Sequence, residues 1–505
     1  MSKYINKLQF IKDFIFKERN SLKIRSLRAA SWTILGKGGS DLLRLISNLI
    51  LTRILYPEAF GLMATGLVII TMIQLFSDTG VKISLIQHPD GENPNYLNTA
   101  WIISIIRSTI LFLLVVSLSV PIADFYNQPE LKSILAVMSI GILINGFENP
   151  AVAIIIKKLR AEKQFIYDIG TQLLGFFTTL ILAYYFRSVM ALAIGYLFLS
   201  FYRLIGSYII DPYRPKLIWN RKAGSELFHF GKYILLNTMI TWTTMNADRL
   251  IIGKTLNMEM LGVYSIGLNI GIIIEMLFVQ ILTQSYLPAL SSVSYDLDRV
   301  QRIFRRTSTL IIAISIPILT VASLFSKEII HILYDPRYAM AAITMQWISL
   351  RGIFRIISIL QGQTLIAIGK PSFETISMFL GMIALAITMP YGAIHFGLEG
   401  VAVAAFIVGI TISFFESIFL IMNVKFSFKI IFRPWLQSVL ISGVIGIIYF
   451  TFRPYLNHES IYNIPLLILI SIIGLALSAI YYLFLEGTNP FKDHGGATKK
   501  EVYTL

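Results

Sequence analysis

The sequence predicts an all-α polytopic membrane protein of about 14 transmembrane helices, arranged as two parallel-repeat six-helix lobes followed by two further helices. Three observations carry this: apolar runs long enough to span a bilayer, an alternation of basic and charge-poor loops between them, and a segment that recurs once along the chain. Of the 505 residues, 55% are hydrophobic and 14% are charged, against about 25% charged in ordinary soluble chains. The mean hydropathy is +0.70. A soluble fold of this length needs more charge than that to cover its surface.

A helical span takes about 20 apolar residues. Such runs lie near 29–53, 60–86, 98–122, 131–156, 165–185, 189–210, 227–252, 261–289, 308–325, 339–367, 373–394, 398–424, 435–452 and 464–484. The least marked divisions fall within 165–210, where only Arg187 and its neighbours intervene, and within 373–424. Ahead of the first span, residues 1–27 are basic, with Tyr4, Leu8, Ile11 and Ile15 at helical spacing. That pattern suits an amphipathic arm lying on anionic headgroups and equally a frayed basic tail, and no cleavable signal peptide is expected.

Charge orients the spans. The N-terminal arm carries eight Lys or Arg residues up to Arg28. Lys157, Lys158, Arg160 and Lys163 follow the fourth span, Arg214, Lys216, Arg221 and Lys222 the sixth, Arg299, Arg302, Arg305 and Arg306 the eighth, and Lys425, Lys429 and Arg433 the twelfth. The intervening loops hold little: Arg53, Lys132, Arg187, Lys254 and Arg453 singly, with Lys327 and Arg337 sharing one. Cytoplasmic loops collect Lys and Arg, so the pattern places both termini in the cytoplasm with an even number of spans between. The net charge of +15 belongs to these loops, and membrane lipids rather than nucleic acid are the expected partners.

The repeat pairs residues 48–67 with 249–268, without gaps. Identities are Leu49/Leu250, Ile50/Ile251, Leu55/Leu256, Glu58/Glu259, Gly61/Gly262, Gly66/Gly267 and Leu67/Leu268, and Arg53/Lys254 keeps its charge. The copies sit at the exits of the first and seventh spans. An even number of spans separates them, so they share orientation, as in transporters made of two similar six-helix halves. The expected divisions are a basic arm at 1–27, a first lobe at 28–215, a second at 216–430, two further helices within 431–486, and a cytoplasmic tail at 487–505.

Several chemistries are excluded. There is no cysteine and the six histidines are scattered, so neither a metal site nor a thiol nucleophile is expected. Gly36-Lys37-Gly38-Gly39-Ser40 lacks P-loop spacing and lies inside a span. Asp296-Leu297-Asp298 mimics a sugar-nucleotide motif without a nucleotide-binding domain around it. No expected outside loop is long enough for the catalytic residues of a membrane glycosyltransferase, polymerase or ligase, so no enzyme activity and no catalytic residue is expected. A non-transporting scaffold for a synthesis complex stays open.

A family resemblance rests on Phe60-Gly61-Leu62 through Phe76-Ser77-Asp78-Thr79-Gly80, Ser84-Leu85-Ile86-Gln87, Asp248-Arg249-Leu250-Ile251-Ile252-Gly253, Leu261-Gly262-Val263-Tyr264, and Leu287-Pro288-Ala289-Leu290-Ser291 before the basic loop. Their order and spacing over residues 25–430 resemble the polysaccharide transporter family, the Wzx-type flippases of the multidrug/oligosaccharidyl-lipid/polysaccharide exporter superfamily. The closest likeness is to its exopolysaccharide, capsule and teichuronic acid branch. The resemblance implies a MATE-like fold in a bacterial cytoplasmic (inner) membrane. It also implies translocation of an undecaprenyl-pyrophosphate-linked oligosaccharide from inner to outer leaflet, with a polysaccharide polymerase or biosynthesis complex as a further candidate partner. An ion-coupled exporter of small cationic drugs on the same fold is the alternative.

Charges inside a membrane are costly and point to function. The first span carries Lys37, Asp41, Arg44 and Asn48 on one face. The tenth carries Thr344, Arg351, Arg355, Ser358 and Gly362 on one face, beside Trp347. Arg107 lies in the third span, and Asp78, Glu148, Glu275 and Glu416 are acids within spans. Two readings stand for these faces: ion pairs that lock helices together, such as Asp41 with Arg44 or Arg107, or a cationic cavity for an anionic headgroup. In the second, Arg351, Arg355, Arg44, Lys37 and Arg107 are the candidate phosphate ligands, since guanidiniums offer fixed charge and a planar fork. No cofactor is expected. Asp41, Glu148, Glu275 and Asp78 are the candidates for coupling to H+ or Na+, and Pro150 is placed to break the fourth span beside Glu148.

Overall fold

The computed structural model describes residues 22–452 apart from position 79. Most of the basic arm, the run at 464–484 and the tail at 487–505 lie outside the described residues. Among the described residues every regular element is helical. Nine helices among the described residues are long and apolar enough to cross a membrane. Two more long ones, α1 (Leu22–Ile54) and α9 (Arg221–Thr255), are not among those nine, and both carry charged residues along their length.

The chain forms two compact units, Met1–Val263 and Tyr264–Leu505. The first contains α1, α2 (Pro57–Phe76), α3 (Val81–Gln87), α4 (Pro94–Tyr126), α5 (Glu130–Asn145), α6 (Val152–Lys157), α7 (Ala161–Phe186), α8 (Val189–Ile210) and α9. Here α1 packs on α7, α7 and α5 on α8, and α9 on α2, α3 and α4. This last packing puts α9 in the first unit, where the sequence division falls at 215/216.

Local chemistry sets the ends. Pro57 and Pro94 open helices at the first turn, where a missing N–H costs nothing. Asn93 caps α4 by accepting from the Asn95 N–H at 2.9 Å, and Asn127 closes it with a left-handed φ of 53°. Gly36 and Gly39 bring α1 against α7, where a Cβ would meet Phe165 at 3.3 Å and Ile169 at 3.2 Å. Gly36 and Gly39 of the run at 36–40 thus serve helix packing, while Lys37 and Gly38 between them are exposed.

Two spans in this unit are broken. The second is split at Ser77–Gly80 between α2 and α3, where Gly80 turns through a φ of 65°. The fourth is split between α5 and α6, ahead of Pro150 as its sequence leads one to expect. Asn149 holds that break. Its backbone N–H donates to Ser207 Oγ at 3.0 Å, its Nδ2 to the Tyr213 carbonyl at 2.9 Å, and its Oδ1 accepts from the Ala151 N–H at 3.0 Å. Backbone freed from a helix inside a membrane needs such partners.

The repeat is visible in the packing. A Cβ on Gly61 would lie 1.8 Å from the Met258 carbonyl oxygen, and one on Gly262 would lie 1.8 Å from that of Pro57. Pro57 and Met258 are themselves equivalent in the repeat, so the contact is reciprocal. Only glycine permits this backbone approach.

The second unit contains most of α10 (Met258–Ile281), a π turn at Leu282–Tyr286 leading into α11 (Leu287–Ser291), then α12 (Leu297–Leu324), α13 (Ser326–Leu333), α14 (Ala341–Ala367), α15 (Pro371–Val424) and α16 (Phe428–Phe452). The π turn precedes Pro288, which has no N–H to keep the α ladder in register. Helix α12 packs on α14 and α16 around Phe304, Ile312, Leu319, Phe325, Ile357 and Leu360. The 54-residue α15 is non-helical at Gly397, with φ 60° and ψ −137°. Its arms close on each other at Gly392 and Gly400 and again at Gly381 and Ile412, an antiparallel pair of helical arms within the expected spans at 373–394 and 398–424.

Candidate functional site

The strongest concentration of buried charge lies in the second unit, on one face of α14. Arg351 and Arg355 are one helical turn apart and reach the same carboxylate. Arg351 Nη2 donates to Glu275 Oε2 at 3.2 Å, and Arg355 Nε lies 3.9 Å from Glu275 Oε1. The side chains are 19%, 17% and 9% exposed for Arg351, Arg355 and Glu275, so each arginine keeps a partly open edge while the acid does not. Gly409 on α15 makes the room: a Cβ there would meet Arg351 Cγ at 2.9 Å.

The same face continues toward the end of α14. Ser358 is 1% exposed and Gly362 faces α15, where both Glu416 and Glu374 approach it. Arg355 lies within electrostatic reach of Glu275, Glu416 and Glu374 together. Gln361 donates to Ser417 Oγ at 2.7 Å and accepts from Ser413 at 3.4 Å, tying α14 to the second arm of α15. Thr344 is fully buried, and the Trp347 ring packs against Phe406 at a tilt of 54°, 5.5 Å between centroids.

The first unit carries a second group, built on its broken spans. Asp78 sits in the α2–α3 break, where its Oδ1 accepts from the Gly80 N–H at 3.0 Å. Arg107 crosses from α4 to this break, 3.7 Å from Asp78, and donates to Ser77 Oγ at 3.2 Å and to the Gln74 carbonyl. Glu148 sits in the α5–α6 break and shares the electrostatic field of Arg203 and Lys82 with Asp168. Discontinuous helices that free backbone beside charged groups are how transporters build polar sites in a bilayer. On α1, Asp41 pairs with Arg44 at 2.9 Å, while Lys37 and Arg44 are exposed.

The structure thus brings Arg351, Arg355 and Glu275 together, joins Arg107 to Asp78 rather than to Asp41, and leaves Asp41 with Arg44. Arg351 and Arg355 have no acid near them in sequence; Glu275 arrives from 76 positions away. Asp168, Arg203, Lys82 and Glu374 join these groups although no motif marks them. All four fall inside expected spans, at 60–86, 165–185, 189–210 and 373–394, so the intramembrane-charge rule reaches them as directly as it reaches Arg107.

A family model described as "polysaccharide biosynthesis protein" matches residues 50–343. The chain is similar to the lipopolysaccharide biosynthesis protein WzxC of Escherichia coli (strain K12), at 23% identity over 66% of this chain and 68% of that one. It is also similar to the teichuronic acid biosynthesis protein TuaB of Bacillus subtilis (strain 168), at 23% over 82% and 85%. Among solved structures, the lipid II flippase MurJ in an inward closed conformation matches with a TM-score of 0.70 and 15% identity, over 90% of this chain and 99% of that one. An inward-facing multidrug resistance MATE family transporter matches at 0.60, 14% identity, 76% and 94%.

Proposed function

Because the chain belongs to the polysaccharide biosynthesis protein family, and is a multi-pass membrane transporter of that class, we propose that it is a flippase. Its cargo is an undecaprenyl-pyrophosphate-linked oligosaccharide, carried from the inner to the outer leaflet by alternating access for surface polysaccharide export. The observation that carries the reading is the pair Arg351 and Arg355, one turn apart on α14 and directed at a single anion, the Glu275 carboxylate. Two guanidiniums converging on one anionic group inside a span form the donor set that a pyrophosphate requires. Arginines on this face favour an anionic cargo over the small cationic drugs of the alternative reading. The fold shared with MurJ and the MATE transporter supports alternating access. Lys37, Arg44 and Arg107 are secondary phosphate ligands in this reading, and Asp41, Asp78, Glu148 and Glu275 are candidates for coupling to H+ or Na+. The setting is a bacterial cytoplasmic membrane.

Deletion of the gene tests it. The surface polysaccharide should vanish while its lipid-linked repeat units persist on the inner leaflet. Loss of the lipid-linked units themselves would mark a synthetic enzyme and overturn the reading. Arg351→Lys and Arg355→Lys should each impair export at normal membrane abundance, because an ammonium keeps the charge but not the fork.

A further inference from the structure

The segment joining α8 to α9 holds three large apolar side chains outward. It runs from Asp211 to Asn220 without helix, and Pro212 and Pro215 stiffen it. The first unit grips this strap along its length. The Tyr213 hydroxyl and the Lys216 N–H both donate to Asn98 Oδ1 on α4 at 2.8 Å, and the Asn220 N–H donates to Thr99 Oγ1 at 3.1 Å. Between the last two anchors the chain makes a three-residue turn, in which the Ile218 N–H donates to the Lys216 carbonyl at 2.8 Å. Leu217 is its apex, 78% exposed, and Ile218 and Trp219 follow at 48% and 54%. The Trp219 ring rests at Gly224, where a Cβ would meet it at 2.8 Å. Backbone anchored on both sides of the turn keeps these side chains from folding inward.

The charges beside the apex also face outward. Lys216, Arg221 and Lys222 are exposed and make no ion pair among the described residues. The acids nearest in sequence are engaged: Asp211 Oδ1 accepts from the Tyr213 N–H at 2.9 Å, while Glu226 accepts from Tyr96 and has His88 Nε2 at 3.3 Å. Arg214 stands apart, since it turns back to donate to the Asp211 and Tyr213 carbonyls at 3.1 and 2.9 Å and lies over the Tyr208 ring. Helix stability does not call for Arg221 and Lys222 either, because cations in a first turn oppose the macrodipole, and α9 has no acid there.

We propose that this strap is an anchor for anionic phospholipids of the inner leaflet. Leu217, Ile218 and Trp219 enter the boundary between headgroups and chains, and Lys216, Arg221 and Lys222 hold lipid phosphates around them. An apolar wedge bordered by cations is the combination that interfacial segments use, and Trp is a residue of headgroup depth. The position agrees. Helix α8 ends at Ile210, where the expected span 189–210 ends, so the strap starts where the chain leaves the bilayer. The basic loops assign that side to the cytoplasm. A soluble protein is the competing occupant, and it would leave Leu217 in water until it bound. The anchor does not depend on what the protein carries.

The chain has no cysteine, so a single Leu217→Cys can carry a fluorophore in the full chain, reconstituted in phosphatidylcholine vesicles. Quenching is measured with phosphatidylglycerol or phosphatidylcholine brominated on the upper part of the chains. The same lipid in both leaflets makes the result independent of insertion direction. Both lipids should quench, and phosphatidylglycerol should do so at a lower mole fraction. Its advantage should fall about fivefold with each of Lys216→Gln, Arg221→Gln and Lys222→Gln, and should vanish in about 1 M salt, where charges are screened within about 3 Å. Lys132→Gln, the same loss of charge in a loop assigned to the other side, should leave it unchanged. Absence of quenching by either lipid overturns the proposal and leaves the patch to a soluble partner. Equal quenching by both overturns the binding of anionic headgroups. An unchanged preference in the triple Lys216→Gln, Arg221→Gln, Lys222→Gln variant overturns the assignment to these residues. If the charge variants fail to accumulate, the labelled chain with its native charges decides through the lipid preference and its salt dependence.

Discussion

Arg351 and Arg355 share one carboxylate, which makes Glu275 the member whose loss costs most. Removing it takes away an acid that both arginines contact, and breaking a buried ion pair costs about 3–5 kcal/mol. Glu275→Ala should therefore lower membrane abundance more than Arg351→Ala, which leaves Arg355 to compensate the acid. The double variant Glu275→Ala with Arg351→Ala should recover part of the abundance lost in Glu275→Ala alone. Quantitative immunoblotting of membranes for the three variants measures this. Equal losses that simply add would mean that the 3.2 Å contact carries no coupling.

At the scale of elements, the reciprocal contact of α2 with α10 is the most constrained crossing in the first unit. A methyl group at Gly61 or Gly262 meets backbone carbonyl at 1.8 Å in either direction, and backbone cannot rotate aside as a side chain can. Gly61→Ala and Gly262→Ala should each destabilise by about 1–3 kcal/mol. The two losses should be alike, and the detergent-solubilised variants should melt at lower temperatures. Asn149→Ala should also lower stability, by about 1–3 kcal/mol, because the α5–α6 break then keeps buried backbone groups without partners. The break itself is legible in the sequence, since Pro150 cannot continue a helix ladder. The hinge at Gly397 is less so: glycine is common in membrane helices, and what reveals the turn is the meeting of Gly392 with Gly400. The same difference divides the site. The i, i+4 spacing of Arg351 and Arg355 announces a charged face, but Glu275 and Glu374 enter it through packing between helices distant in sequence. Periodicity along one helix carries no information about which neighbour faces it.

For the whole molecule, the decisive quantity is the side of the membrane on which each loop lies. The basic clusters at 157–163 and 299–306 alternate with loops holding one or two basic residues, and the positive-inside bias assigns the clusters to the cytoplasm. A flippase that collects an anionic headgroup at the inner leaflet needs this orientation, so the assignment bears on mechanism as well as topology. The chain contains no cysteine, which allows single cysteines to report position without background. Arg160, Arg302 and Lys132 are all exposed in the structure, so reactivity at these points depends on membrane sidedness rather than burial. Arg160→Cys and Arg302→Cys should react with a membrane-impermeant maleimide only after permeabilisation, whereas Lys132→Cys, in a loop assigned outside, should react in intact cells. Labelling of position 160 or 302 from outside intact cells would invert or renumber the spans. It would also place the Glu374 end of α14 and α15 at the opposite leaflet from the one this assignment gives it.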